Sequence, residues 1–190
     1  DTLAQSGRTL QALDCYQAAG QPSARDFVES QAFVQPTGLK RLACIYFYGR
    51  SGSVFLQSLL DQHPRVVTVA GAYLHDFYRF WHEFGRLPRE QMLEKFLETF
   101  SPMFRADRPG RPFAGNGMVY GGELLGLTQM GPQRDQVLQL DEPLFASELA
   151  RLLEPFQAVT SRYLFQAVHA AYWRALGHSL EGKDMMVFQA

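Results

Sequence analysis

Cysteine is scarce in this chain. Cys15 and Cys44 are the two present, far apart and without C-x-x-C spacing, so neither a disulfide framework nor a structural zinc is expected. Both read as free thiols in a reducing compartment, which points to a cytoplasmic location. No apolar run approaches the ~20 residues of a membrane-spanning helix, and no signal peptide shows at the start. Net charge is nearly absent too, at −1, which argues against a general nucleic-acid binder with its basic excess. What is present is a globular composition over 190 residues, 46% hydrophobic and 19% charged, enough for one main domain with a real core. Fifteen Phe and eight Tyr make that core aromatic.

The chain is organised around residues 42–70, LACIYFYGRSGSVFLQSLLDQHPRVVTVA. An apolar run over 42–48, too short for a helix and bounded by Gly, reads as a buried parallel strand carrying Cys44. The polar turn Gly49-Arg50-Ser51-Gly52-Ser53 follows. An amphipathic helix then runs until His63-Pro64 stops it, and residues 66–69 form a second strand. Gly49 and Gly52 have no Cβ and let backbone close around a ligand. Ser51 and Ser53 add hydroxyls, Arg50 adds a forked cation, and the free N–H groups at the helix start favour an anion. The spacing therefore predicts an oxyanion cradle. It lacks the Lys of G-x-x-x-x-G-K-[ST], since Gly52 is followed by Ser53-Val54, and no G-x-G-x-x-G occurs. An ATP-dependent phosphotransferase is disfavoured on the same ground.

This stretch resembles the 5′-phosphosulfate-binding loop of the sulfotransferases that use 3′-phosphoadenosine 5′-phosphosulfate (PAPS). Arg50, Ser51, Gly52 and Ser53 match that loop position by position. Phe55 and Leu56 match the apolar residues that seat its helix, and Leu60-Asp61-Gln62-His63-Pro64 matches the helix exit. The family's second hydroxyl residue is Val54 here, so one phosphate donor is missing. The resemblance is specific over about twenty-five residues and diffuse elsewhere. It implies an α/β, three-layer P-loop nucleotide-kinase-like fold with a short parallel sheet. It also implies transfer of a sulfuryl group to a hydroxyl or amine of a small-molecule, carbohydrate or peptide acceptor, without a metal. The cofactor residues would be Gly49, Arg50, Ser51, Gly52, Ser53 and Val54, with Arg50 stabilising charge on the leaving phosphate. The family's 3′-phosphate motif, an Arg and a Ser after a later strand, has no match before Ala190. The 36–190 domain is therefore expected to be truncated at its C-terminal end, and this chain to be inactive alone.

Beyond the second strand, ligands of an open α/β sheet gather past the strands' carboxyl ends. His75 is the best-placed candidate for the base that takes the acceptor's proton, with Asp76 and Glu83 as alternatives. The competing reading of His75 is an ordinary histidine at a helix start. Phe77, Phe80, Trp81 and Phe84 make a helical core stripe that ends at Gly85. Residues 88–104 read as one amphipathic helix on Met92, Leu93, Phe96, Leu97 and Phe100. The loop 105–122 gathers Arg105, Arg108 and Arg111, which reads as an anion-binding cluster or as a solvated loop, and Glu123 is a weaker acid/base candidate.

Asp141 is expected to cap one further helix and Thr160 or Ser161 the next, with Gly177 closing the second and His169 and His178 at the surface. Residues 185–188 should add a parallel strand beside the first. Residues 1–35 read as a short helical segment, either the end of a tetratricopeptide repeat able to recruit a protein partner or a plain amphipathic helix. The reading from another class is a non-catalytic scaffold whose degenerate loop binds nothing.

Overall fold

The computed structural model describes residues 37–46, 52–61, 63–69, 74–110, 127–130 and 132–189, with the backbone alone at Val54. The described residues belong to the unit Pro36–Ala190; the repeat-like segment 1–35 and Cys15 lie outside them. Three strands, β1 (Arg41–Ile45), β2 (Val66–Thr68) and β3 (Met185–Gln189), form one parallel sheet in the order β1-β3-β2. The chain is thus a mixed helix-and-strand protein of the α/β class. The apolar run beginning at Met185 does pair with the first strand, Arg41 opposite Met185 and Ile45 opposite Gln189.

Among the described residues six helices accompany the sheet: α1 (Ser53–Leu60), α2 (Leu74–Phe84), α3 (Arg89–Thr99), the single turn α4 (Ser101–Phe104), α5 (Glu142–Leu153) and α6 (Ser161–Ala175). Side chains alternate across a strand, and β3 shows which helix covers which face. Phe188 meets Phe165 of α6 at 5.1 Å between rings, while its neighbour Gln189 bonds Gln57 of α1. The two helices therefore lie on opposite faces of β3.

α6 is the central element and is buried nearly all round, from Tyr163 to Trp173. Thr160 caps it by accepting from the Tyr163 N–H at 3.2 Å, and Gly177, at φ 81°, closes it. α5 packs along it, capped by Asp141, which accepts from the Leu144 N–H at 2.8 Å. A chain of rings fills the space between the helices: Phe80 and Phe96 at 5.3 Å, Phe96 and Phe100 at 4.6 Å, Phe104 and Phe145 at 4.7 Å. Tilted and edge contacts of this kind suit the ring quadrupole.

Two expectations are corrected. The amphipathic run 88–104 is two helices rather than one, because Pro102 has no N–H for a continuing ladder and its ring would strike the carbonyl one turn back. Its apolar face is as expected, with Met92, Phe96 and Phe100 buried. β1 is not buried: Leu42 and Cys44 are exposed. They share a face with Met186 and Phe188, but α6 reaches over β2 and β3 and leaves β1 at the flank. At the amino ends of the strands, the Asp184 carboxylate accepts from Arg41 at 2.6 Å and from Arg65 at 2.5 Å, which staples all three strands. The hydrogen bond from Arg65 holds this carboxyl below its ordinary range; desolvation opposes it, and the hydrogen bond from Arg41 adds to the lowering.

Candidate functional site

β1 ends at Ile45, and the next described element, α1, starts at Ser53. Gly49, Arg50 and Ser51 lie outside the described residues, and so does the Val54 side chain. Gly52 and Ser53 are described. Gly52 stands at φ 78°, ψ 15°, the left-handed region that a Cβ disfavours. Its carbonyl accepts from the Leu56 N–H at 2.9 Å, the first helical bond of α1. Ser53 opens α1 and is buried. No acidic residue stands in the first turn of α1, so no carboxylate there offsets the positive end of the helix dipole.

α1 is seated unusually. Ser53 and Gln57, one turn apart, face inward, and Gln57 is 9% exposed. The Gln57 Nε2 donates to the Val69 carbonyl at 2.7 Å, and its Oε1 accepts from the Gln189 Nε2. Phe55, Leu56 and Leu59 point outward, Phe55 at 68% exposure and Leu59 at 62%. The expectation that Phe55 and Leu56 seat the helix is therefore corrected. Phe55 and Leu59 repeat with the same i, i+4 step as Ser53 and Gln57, two positions out of phase, and only one of those faces can meet the sheet.

His75 lies in the first turn of α2, just after β2 in the chain. Its side chain is 78% exposed, with Nδ1 at 3.8 Å from the Asp76 carboxylate. Asp76 is half-buried and Glu83 exposed. The Arg105 guanidinium pairs with Asp107 at 2.6 Å and Arg108 with Glu142 at 2.8 Å, so both are internally compensated. Arg111 and Glu123 lie outside the described residues. His63 is structural: its Nδ1 accepts from the Arg65 N–H at 3.2 Å, and its carbonyl accepts from Lys183 at 2.6 Å. His178 is exposed and lies against Trp173, 4.6 Å between ring centres. His169 is not at the surface. It is fully buried between Phe165 and Phe188, with Nδ1 at 2.9 Å from the Phe165 carbonyl. Burial lowers its imidazole to about 4, outweighing that hydrogen bond.

The Gln57–Gln189 pair escaped the sequence reading. The one available signal was a polar residue, Gln189, closing the otherwise apolar strand MMVFQ. Among the described residues there is no group of three or more His, Cys, Asp or Glu able to hold a metal ion, and no helix is long and apolar enough to cross a membrane. Compared with protein-family models, curated proteins and solved structures, the chain gives no significant match to any.

Proposed function

We propose that this chain carries the 5′-phosphosulfate-binding part of a sulfotransferase of P-loop, nucleotide-kinase-like fold, acting on a hydroxyl or amine acceptor. The observation that carries the reading is the left-handed Gly52. It turns the chain from the carboxyl end of a parallel strand into a helix whose first turn has no acid, at the point where Arg50-Ser51-Gly52-Ser53 stands. A helix start of this kind, with a cation beside it, fits the phosphate end of PAPS. Gly49, Arg50, Ser51, Gly52 and Ser53 would hold that end, with the backbone N–H of Val54 in place of the missing hydroxyl.

PAPS, when bound, supplies the activated sulfuryl group. Arg50 stabilises charge on the departing phosphate. His75 takes the acceptor's proton, a role compatible with its solvent-open position at the carboxyl side of β2 and with Asp76 beside it. Two cysteines without paired spacing support a reducing, cytoplasmic setting.

A second reading, a scaffold that binds a protein partner, is favoured by a specific observation: the outward apolar face of α1, Phe55, Leu56 and Leu59. Calorimetric titration with 3′-phosphoadenosine 5′-phosphate separates the two, with ATP as control and Arg50→Ala beside it. The sulfotransferase reading expects binding of the first ligand, no preference for ATP, and loss of binding in the variant. Preference for ATP would favour a phosphotransferase, and silence towards both would favour the scaffold.

A further inference from the structure

The buried Gln57–Gln189 amide pair ties α1 to the ends of two strands, β2 and β3, that are themselves paired in the sheet. Gln57 projects from the second turn of α1 onto the sheet. It donates through Nε2 to the carbonyl of Val69, at the carboxyl end of β2, at 2.7 Å. It accepts through Oε1 from Nε2 of Gln189, the last residue of β3. Gln57 is 9% and Gln189 4% exposed. Ser53 sits one turn above Gln57 on the same face of α1. The amides therefore tie the helix start, and the Gly52 turn that feeds it, to the ends of β2 and β3.

Apolar packing alone would hold α1 poorly. Its large apolar side chains Phe55, Leu56 and Leu59 face outward. A helix only 8 residues long is marginal without tertiary support. Directional bonds to two strand ends supply what non-directional burial does not here, a fixed register and tilt. The choice of amides over a carboxylate also matters. Glutamine gives a donor and an acceptor without charge, so the positive end of α1 stays unopposed from below.

We infer that Gln57 and Gln189 are the positioning residues of the anion-binding turn, holding the first turn of α1 in register with the strand ends. This rests on the proposed reading of that turn as the phosphosulfate site. The test uses the 190-residue chain and the variants Gln57→Met, Gln189→Met and the double variant. Affinity for 3′-phosphoadenosine 5′-phosphate is read by calorimetry well below the melting temperature, and backbone amide exchange is read residue by residue.

Each single variant is expected to weaken binding about tenfold, the scale of one broken buried hydrogen bond. The double variant is expected to be no weaker than Gln57→Met, since the two amides act as one network. Exchange should quicken at residues 53–55 and stay unchanged in α6. Unchanged affinity with a lowered melting temperature would overturn the inference, as would exchange that quickens evenly across the chain. Should Gln57→Met fail to fold, Gln189→Met decides, because it leaves the Gln57–Val69 bond in place. If the unaltered chain does not bind the ligand, the functional reading falls and the exchange pattern alone judges the positioning role.

Discussion

Helices α1 and α6 flank the same sheet and are built on opposite plans. α6 buries almost every side chain it has, its one histidine and one glutamine included. α1 buries a serine and a glutamine and turns its phenylalanine and two of its leucines to water. A helix that buries apolar surface against several neighbours carries stability. A helix held by amide bonds at its inner face contributes little to the core and is fixed instead in direction. The contrast separates a stability element from one whose first turn matters for what it presents.

The comparison can be broken by making the same change in both helices. Leu164→Ala in α6 should cost about 2–5 kcal/mol, the range for a fully buried leucine, read by chemical denaturation. The second effect in size is acid lability. Buried His169 sits at about 4 against an ordinary 6.5, so the unfolded chain binds the extra proton first. The folded state's advantage is whole above pH 6.5 and declines as pH falls towards 4, by about 3 kcal/mol at most. His169→Gln should flatten that slope in a series of denaturation curves.

Gly85→Ala is expected to cost about 1–3 kcal/mol, because the new methyl would lie 2.6 Å from the Trp81 carbonyl and against its indole. Gly52→Ala should cost only about 1 kcal/mol, since open space surrounds it and strain at φ 78° is the sole penalty. Its ligand affinity should fall further than its stability. Smallest of all, Leu59→Ala in α1 should stay within about 0.5 kcal/mol. A cost for Leu59→Ala near that of Leu164→Ala would erase the contrast between the helices.

The sequence made much of α6 legible. Its apolar period, the Thr160 cap and the Gly177 stop are local signals, and each has its expected role. The strand at Met185 was legible for the same reason. The seating of α1 was not, because periodicity locates a stripe but does not say which stripe meets the sheet. Two faces with the same step competed, and bonds to Val69 and Gln189 decided. Gln57 and Gln189 stand 132 residues apart, a separation no local pattern spans. His169 was misplaced because a lone imidazole in a helix looks polar until the rings around it are known. Of the candidate site, Gly52 and Ser53 stand at a strand-to-helix turn as the spacing predicted, and His75 opens the next helix.

The most direct test of the account is an amide proton–nitrogen NMR titration of the chain with 3′-phosphoadenosine 5′-phosphate. The account predicts large shifts at residues 49–54 and at the α1 start, with α6 silent. Shifts centred elsewhere, or none at residues 49–54 under saturating ligand, would contradict it.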